Sequence, residues 1–353
     1  MTGVDSRRSG RDGDAREVEA RARRWLARAA PAAPCSIELL AGDASDRRFV
    51  RVRPDGSPSR VLVVHTGRID PAALPLLQVA DLFRRLPVPV PAVFDTDADL
   101  GIVVLEDLGD ETFEALLSRL PAAEHDAWYR DAIALIAAIQ QGGRRLEAGG
   151  GGEGGAKAGP FRLAFDTAKL LWELGFFLDH FVAGYRRHAL APAARGALEA
   201  EFRALAGEMA GEPRVLCHRD FHSRNLMVHR GRLHVIDFQD ARMGPDTYDL
   251  VSLLRDAYAR LDPASVDRLI AHYQALAGVA DGDALRRRFR RTTVQRTLKA
   301  LGTFGHQIAV RGNDRYRAAV PVAAAYAREV TGHDPRYRRL HDLLAPVLEG
   351  IGS

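Results

Sequence analysis

Three side chains that carry oxygen donors lie in one short stretch of the sequence. Asp220 and Asn225 are five residues apart, and Asp237 follows the next apolar segment. Phosphoryl transfer needs Mg²⁺ on a nucleoside triphosphate and a carboxylate that faces the acceptor hydroxyl. Because Mg²⁺ prefers oxygen ligands and takes one or two carboxylates from a protein, Asn225 and Asp237 are candidate metal ligands. Asp220 is then the candidate catalytic base, or the group that orients the attacking hydroxyl.

The residues that follow predict how the two candidate metal ligands are brought together. Residues 226–228 and 233–236 are apolar, and the polar residues 229–232 separate them. Two short apolar runs joined by a polar turn are typical of a β-hairpin. A hairpin here would place Asn225 and Asp237 at the same end of its paired strands.

Two histidines, His218 and His222, lie on either side of Asp220. A zinc site is the alternative interpretation, but the sequence offers no clear third ligand beside them. We therefore expect both imidazoles to make structural hydrogen bonds in the catalytic loop. The chain has two cysteines, Cys35 and Cys217, which excludes a disulfide scaffold and a four-cysteine zinc module.

The composition is that of a chain that folds in water. Its 353 residues are 46% hydrophobic and 27% charged, so the chain is long enough for two lobes and is not disordered as a whole. No apolar run approaches the roughly 18 residues that indicate a transmembrane helix. Residues 1–14 are polar and lack the apolar core of a signal peptide. We therefore expect a cytoplasmic protein with no membrane partner.

The charge pattern does not indicate a nucleic-acid partner. The net charge is +4 over the whole chain, which is too diffuse for such a role. The basic run at residues 286–291 is the one segment that suggests nucleic acid or membrane binding, but no second basic patch supports it. We expect this run to form the solvated face of a helix.

The pattern of apolar residues divides the chain into a β-rich part and a helix-rich part. One amphipathic helix is predicted at residues 74–86, before a proline-rich run, and helical patterns predominate from residue 111 onward. Residues 141–160 contain nine glycines and no periodicity, which predicts a flexible surface loop. The predicted strands of the first part are residues 36–40, 48–53, 60–65, 92–95 and 101–106.

Six stretches of the chain carry a family resemblance, and they are residues 41–49, 105–110, 217–228, 235–241, 244–256 and 295–304. They resemble the N-acetylmuramate/N-acetylglucosamine anomeric kinases of peptidoglycan recycling, a branch of the aminoglycoside phosphotransferase and choline kinase superfamily. The resemblance implies an α+β, two-lobed protein-kinase-like fold with a small β-rich N-lobe and a large helical C-lobe. It also implies ATP and Mg²⁺ as cofactors, a small amino sugar as acceptor and a monomeric enzyme.

The resemblance also divides the chain into functional regions. The expected regions are a disordered tail at 1–14, a nucleotide-binding lobe at 15–105, a hinge at 106–110, and a helical lobe with the catalytic loop and sugar site at 111–353.

Roles for individual residues follow from the same resemblance. In the catalytic loop, Asp220 is the base, Asn225 and Asp237 bind Mg²⁺, and Asp249 anchors the loop. The expected nucleotide-binding residues are Ser45, Arg47, Arg48, His65, and the hinge residues Glu106, Asp107 and Leu108. The expected substrate-binding residues are Glu173, Phe177, Arg219, Gln239, Asp240 and Arg255.

The substrate assignments have a chemical reason, and two have structural alternatives. The lactyl carboxylate of N-acetylmuramate needs cationic partners, and Arg219 and Arg255 are the nearest in sequence. Glu173 would accept hydrogen bonds from sugar hydroxyls, whereas an exposed helical glutamate is the alternative. Phe176 or Phe177 would stack on the sugar ring, whereas a place in the core is the alternative for both.

The sequence departs from protein kinases at one site. Those enzymes place a lysine on the third strand, paired with a glutamate on the following helix. This chain has no lysine before Lys157 and no glutamate between Glu38 and Glu106. His65 ends the strand where the lysine would lie, and Arg47 or Arg48 is the alternative phosphate contact. The missing pair keeps open a non-catalytic nucleotide-binding scaffold, and another small-molecule kinase acting on an aminoglycoside, choline or homoserine-like acceptor is the nearer alternative.

Overall fold

The computed structural model describes residues 3–29, 34–40, 47–148 and 159–352. The chain forms two compact units, one of residues 1–81 with 90–109 and one of residues 82–89 with 110–353. Ser45 and most of the predicted loop at 141–160 lie outside the described residues. No described helix is long and apolar enough to cross a membrane.

The first unit is built on a five-stranded antiparallel sheet, whose strands confirm the five predicted from sequence. They are β1 (Cys35–Leu40), β2 (Arg48–Pro54), β3 (Arg60–Val64), β4 (Val93–Asp97) and β5 (Ile102–Glu106). Their order in the sheet is β1-β2-β3-β5-β4. Alternate side chains such as Val50, Leu62 and Val104 share one face because side chains alternate along a strand. This face packs against Val18 and Trp25 of helix α1 (Gly3–Ala29).

Helix α1 includes most of the segment that was predicted to be a disordered tail. Composition indicated a disordered tail at residues 1–14, whereas the helix begins at Gly3. Residues 18–26 anchor its second half to the sheet, and no proline precedes Pro31. Once a helix is anchored, each further residue adds one hydrogen bond, so the helix can extend through a polar segment that has no apolar face of its own.

The second unit is mostly helical. Residues 75–81 of helix α2 (Pro75–Arg84) belong to the first unit. The helices of the second unit are α3 (Phe113–Arg119), α4 (Ala122–Ala148), α5 (Gly159–Arg162), α6 (Thr167–Phe176), α7 (Pro192–Ala210), α8 (Tyr248–Leu254), α9 (Pro263–Ala277), α10 (Gly282–Ala309), α11 (Ala319–His333) and α12 (Arg338–Leu348). A π-helix at Phe177–Tyr185 continues α6, and short 3₁₀ turns lie at Ser223–Asn225, Asp314–Tyr316 and Pro335–Tyr337. The core packs aromatic side chains of the π-helix, such as Phe181, against α7 and α10.

Four short strands complete the second unit, and they are β6 (Arg214–Cys217), β7 (Leu226–His229), β8 (Arg232–Val235) and β9 (Arg242–Pro245). β6 pairs with β9, and β7 pairs with β8 in the predicted hairpin. The hairpin is therefore confirmed, with its turn at the polar residues between the two apolar runs. Residues 82–89 belong to this unit because Phe83 packs on Phe238, with ring centroids 5.7 Å apart, and Val235 N–H donates to the Pro89 carbonyl.

The start of the predicted glycine-rich loop is wrong, because α4 continues to Ala148. Gly142 and Gly143 are buried inside this helix. A side chain at Gly142 would meet Leu86 at 2.5 Å, and one at Gly143 would meet Leu216 at 2.6 Å. These two glycines therefore allow close packing instead of ending the helix.

Candidate active site

The loop between β6 and β7 is held at both ends by buried carboxylates. Asp249 on α8 accepts hydrogen bonds from the backbone N–H groups of His218 at 2.6 Å and Arg219 at 2.9 Å. Asp256 accepts from the backbone N–H of Ser223 at 2.8 Å and from its hydroxyl at 2.6 Å. Burial raises the pKa of both carboxyls, while these hydrogen bonds oppose the rise. The loop therefore has a fixed backbone between its two anchors.

Asp220 lies between these anchors and is surrounded by cations. Its Oδ1 atom is 2.9 Å from Lys299 Nζ and 3.4 Å from Arg296, both on α10. Its Oδ2 atom is 3.8 Å from Arg219 Nε. Burial by itself would raise the pKa of Asp220, but Lys299, Arg219 and Arg296 together hold it well below its ordinary value. Asp220 is thus ionised at neutral pH.

Asn225 and Asp237 lie beside each other at the open end of the β7–β8 hairpin. The backbone N–H of Ile236 donates to the Asn225 carbonyl at 3.0 Å, which holds the two segments together. Asn225 Nδ2 donates to the backbone carbonyl of Asp220 at 2.9 Å, so this contact uses the amide NH₂ and not the amide oxygen. Asp237 adopts a left-handed backbone conformation with φ of 60°, and its Oδ1 accepts from Gln239 Nε2 at 2.7 Å.

The donor set around Asn225 fits magnesium better than zinc. In the part of the chain that the structure describes, no group of three or more His, Cys, Asp or Glu side chains could hold a metal ion. An amide oxygen and one carboxylate are hard donors, and Mg²⁺ commonly completes its shell with water and phosphate oxygens. Zinc in proteins takes three or four nitrogen, sulfur or carboxylate ligands, which this site does not offer.

Of the two histidines of the loop, His218 is buried and His222 is partly buried. His218 Nε2 lies 2.9 Å from the backbone carbonyl of Ile236. His222 packs edge-on against Tyr258, with ring centroids 5.4 Å apart. Burial lowers the pKa of His222 to about 3, so its imidazole is neutral at pH 7.

Glu173 on α6 is buried close to Arg219. Its side chain is 1% exposed, which excludes the alternative of an exposed helical glutamate. Gln295 Nε2 on α10 donates to Glu173 Oε2 at 2.9 Å, and Lys169 and Arg219 lie 3.8 and 4.0 Å from Oε1. Oε1 has no hydrogen-bond partner among the described residues. This buried acid therefore has an oxygen that could accept a hydrogen bond from a ligand.

The expectation that Phe177 binds the substrate is corrected, because Phe177 lies in the core. Its side chain is 0% exposed and stacks on Phe181 at a centroid distance of 5.5 Å. The partly exposed aromatic side chain is its neighbour Phe176, which contacts Trp172 and His180 at centroid distances of 5.5 and 4.0 Å. Phe177 begins the π-helix and lies in the core, whereas Phe176 is the last residue of α6 and is partly exposed.

Of the other expected substrate residues, Asp240 and Gln239 contact residues of the site, whereas Arg255 does not. Asp240 binds Arg219 at 2.6 Å, and Gln239 binds Asp237 as described above. Arg255 instead pairs with Glu329 at 2.9 Å and lies over the Tyr326 ring. Its guanidinium is thus already committed to a structural ion pair.

The expected nucleotide residues of the first unit fall into two groups. Asp107 forms a two-pronged pair with Arg51, at 2.8 Å from Nε and 2.9 Å from NH2, and accepts from the Gly109 N–H. His65 and Arg48 line a cavity of about 370 Å³ on the α1 side of the sheet. The Arg21 guanidinium at this cavity donates to the backbone carbonyls of His65, Gly67 and Leu100.

Three further residues expected to bind the nucleotide are Glu106, Leu108 and Arg47. The Glu106 carboxylate accepts a hydrogen bond from the Ala92 N–H at 3.2 Å, and Leu108 is buried. Arg47 is half-buried at the start of the described segment that leads into β2.

Three residues of α10, Gln295, Arg296 and Lys299, were not among the sequence candidates. They lie within the stretch 295–304 that carried the family resemblance, and spacings of three and four residues place Gln295 and Lys299 on one helix face. That spacing, on a helix otherwise rich in arginine, is the feature of the sequence that could have identified these residues as part of the site.

Comparison with known proteins agrees with this geometry. A sequence profile described as the phosphotransferase enzyme family matches residues 36–290. The chain is 34% identical to an N-acetylmuramate/N-acetylglucosamine kinase of Neisseria meningitidis, over 93% of this chain and 95% of that protein. It is 29% identical to the protein of the same name from Pseudomonas putida, over 89% of each chain.

Solved structures with low sequence identity share the fold. A choline/ethanolamine kinase family protein from Mesorhizobium loti has a TM-score of 0.56 at 18% identity, over 94% of this chain and 99% of that one. The ADP-bound aminoglycoside phosphotransferase APH(2'')-Ib has a TM-score of 0.56 at 16% identity, over 92% and 95% of the two chains. The fold is therefore that of the protein-kinase-like phosphotransferases, with a β-sheet N-terminal region and a helical C-terminal region. The chain belongs to the phosphotransferase enzyme family and is a phosphotransferase.

Proposed function

We propose that this enzyme transfers the γ-phosphate of ATP to the anomeric hydroxyl of N-acetylmuramate and N-acetylglucosamine, giving the sugar 1-phosphates. The observation that carries the proposal is the ionised Asp220 carboxylate, held in a fixed loop beside Asn225 and Asp237. Relatives that match nearly the full chain are named N-acetylmuramate/N-acetylglucosamine kinase. The acceptors are cell-wall sugars, so the proposed reaction belongs to peptidoglycan recycling.

The chemistry assigned to Asp220 is proton transfer. The acceptor oxygen forms a bond to the γ-phosphorus, the bond from that phosphorus to the β,γ-bridging oxygen breaks, and the electron pair leaves with ADP. Asp220 takes the hydroxyl proton. An anomeric hydroxyl is more acidic than an ordinary alcohol, so a carboxylate with a low pKa can still assist it. Catalysis is then mainly positioning and charge neutralisation.

The metal would be held by the Asn225 amide oxygen and the Asp237 carboxylate. Mg²⁺ bound there would neutralise charge on the phosphates. Asn225 itself ties the metal site to the base, because its Nδ2 holds the backbone carbonyl of Asp220. Gln239 holds one Asp237 oxygen at 2.7 Å and so restricts the rotation of that carboxylate.

In the first unit, we propose that the backbone of Glu106–Leu108 holds the adenine. The buried pair between Arg51 and Asp107 supports this assignment because it fixes the segment through its side chain and leaves the main chain to make other contacts. Arg47, Arg48 and His65 are the proposed phosphate-side groups, and Ser45 is proposed with them.

The acceptor would contact Glu173 and Arg219. Glu173 Oε1 would accept a hydrogen bond from a sugar hydroxyl. Arg219 is favoured over Arg255 as the partner of the lactyl carboxylate, because Arg219 lies within 4.0 Å of both Asp220 and Glu173, whereas Arg255 pairs with Glu329 on α11. Phe176 replaces Phe177 as the proposed aromatic contact with the sugar ring. The mixture of arginine and acid around Asp220 does not favour a purely cationic acceptor such as choline.

An acceptor panel tests the proposal. MgATP is incubated with N-acetylmuramate, N-acetylglucosamine, kanamycin, choline and homoserine, and ADP release is measured. The matched control is the methyl glycoside of N-acetylglucosamine, in which a methyl group blocks the anomeric oxygen. We expect turnover with the two free sugars and none with the methyl glycoside. Equal turnover of the blocked sugar would overturn the anomeric assignment.

A further inference from the structure

We propose that Lys299 is a positioning residue, which holds the Oδ1 atom of Asp220 and leaves the Oδ2 atom of Asp220 for the acceptor hydroxyl. This inference rests on the proposed role of Asp220 as the catalytic base. It assigns a function to the helix α10, which the motif around Asp220 does not include.

The contacts of the two Asp220 oxygens are unequal. Oδ1 accepts a hydrogen bond from Lys299 Nζ at 2.9 Å and lies 3.4 Å from an Arg296 nitrogen. Oδ2 lies 3.8 Å from Arg219 Nε, which is longer than a hydrogen bond. The α10 cations therefore occupy one oxygen and fix the rotation of the carboxylate. The second oxygen has room for the proton of an acceptor.

Lys299 and Arg296 differ in what else they bind. Arg296 also donates to Ser252 Oγ and, at 3.4 Å, to the Arg219 carbonyl, so it joins α8 and the loop. Lys299 has Asp220 as its one hydrogen-bond acceptor among the described residues, and its side chain is 15% exposed. The ammonium group of Lys299 has three N–H donors, and its hydrogen bond with Asp220 uses one of them. Arg296 serves the architecture of the loop, whereas Lys299 serves the carboxylate.

The packing of α10 keeps Lys299 in place. One turn after Lys299, the backbone of Gly302 lies so close to Phe177 that a side chain there would meet its backbone at 2.9 Å. Four residues before Lys299, Gln295 is hydrogen-bonded to the buried Glu173. The helix is thus fixed on both sides of the lysine, and the ammonium cannot leave Asp220 by a small shift of the helix.

The contact of Lys299 has a measurable consequence. Without the ammonium on Oδ1, the Asp220 carboxylate loses a hydrogen bond that fixes its rotation, so Oδ2 is less often oriented towards the acceptor hydroxyl. This loss affects the transfer step and not the binding of the nucleotide. It therefore lowers kcat and leaves the Kd for MgATP unchanged.

The first experiment compares Lys299→Met, Lys299→Arg and Arg286→Met with the wild type. Arg286 is the matched control, because it also lies on α10 and pairs with an aspartate, Asp267, at an exposed position. For Lys299→Met we expect kcat to fall about 100-fold, as for loss of general-base assistance. The Kd for MgATP should change less than about twofold, since the lysine contacts the base and not the nucleotide.

Comparison of the two lysine variants separates positioning from simple loss of structure. Arginine can still donate to Oδ1 of Asp220, so Lys299→Arg should recover most of the kcat that Lys299→Met loses. Arg286→Met should match the wild type in kcat and in the acceptor KM. A Lys299→Met variant that binds MgATP and keeps the kcat of the wild type would overturn the inference.

A second measurement does not depend on the acceptor. Urea denaturation of the wild type, Lys299→Met, Asp220→Asn and the double variant, all at pH 7, measures the coupling between the two side chains. We expect the effects of the two single substitutions to be non-additive, because the two side chains share one hydrogen bond. A wild type inactive on both sugars would refute the proposed function alone. Additive effects would refute the coupling of Lys299 to Asp220.

Discussion

The two units of the molecule use their largely shielded cations for different purposes. In the first unit, Arg21 donates to three backbone carbonyls, and Arg51 pairs with the Asp107 carboxylate. In the second unit, Lys299 and Arg296 converge on a single carboxylate, that of Asp220. A guanidinium bound to carbonyls fixes the path of the chain, whereas cations gathered around one acid set its pKa. The lysine that protein kinases place on the third strand is absent from the first unit's sequence, whereas Lys299 and Arg296 of the second unit lie around Asp220.

The largest effect is expected when the Asp220 carboxylate itself is neutralised. Asp220→Asn should lower kcat by about 10²–10⁴-fold, because the amide cannot accept the acceptor proton. The Kd for MgATP should stay close to that of the wild type, since Asn225 and Asp237 are unchanged. Steady-state kinetics and calorimetric titration measure the two quantities. Near-normal turnover in this variant would show that Asp220 is not the base.

The next prediction tests the structural use of cations in the first unit. Arg51→Met leaves the Asp107 carboxylate buried without its partner and should destabilise the fold by about 3–5 kcal/mol. Arg53→Met, two residues along the same strand, removes an exposed pair with Glu38 and should cost less than about 1 kcal/mol. Urea denaturation of both variants measures the difference. Equal losses would mean that burial of the Arg51 pair has no energetic importance.

A third prediction concerns the neutral histidine of the catalytic loop. Burial lowers the pKa of His222 from 6.5 to about 3, so the unfolded chain binds this proton first as the pH falls. Stability should therefore decrease between pH 6.5 and pH 3, with a slope of up to about 1.4 kcal/mol per pH unit from this group. His222→Gln should flatten the slope, whereas substitution of the exposed His333 should not. If both variants keep the wild-type slope, the pKa of His222 is not lowered in the folded protein.

The smallest expected effect distinguishes two adjacent aromatic residues. Phe176→Ala should raise the acceptor KM about two- to tenfold, which corresponds to the loss of one ring contact of about 0.5–1.5 kcal/mol. Phe177→Ala should instead destabilise the core by about 3–5 kcal/mol. Acceptor kinetics and thermal unfolding of the two variants are compared. A KM change for Phe177→Ala in a fully stable protein would reverse this assignment.

The sequence predicted the parts of the molecule that depend on local pattern. The five strands of the sheet and the β7–β8 hairpin follow from short-range alternation and turn residues, and both were predicted. Asp220, Asn225 and Asp237 were identified because they lie within eighteen residues and their chemistry is explicit. What the sequence missed came from distant segments. Lys299 reaches Asp220 across 79 residues, and Gln295 reaches Glu173 across 122.

Two sequence predictions failed because of tertiary packing. Phe177 was expected to bind the substrate, with a place in the core as the alternative, and it is 0% exposed and stacks on Phe181. The glycine-rich loop was predicted to begin at residue 141, because glycine usually disfavours helices. In α4, close packing against Leu86 and Leu216 outweighs that tendency at Gly142 and Gly143. In both cases tertiary contacts decide what composition alone does not.

Location of the transferred phosphate tests the central claim most directly. N-acetylglucosamine is incubated with MgATP and the enzyme, and the product is examined by phosphorus NMR with correlation to the sugar protons. We predict a phosphate coupled to the proton on the anomeric carbon, and no such product with Asp220→Asn. A phosphate on any other sugar oxygen would contradict the assignment of Asp220 as a base for the anomeric hydroxyl.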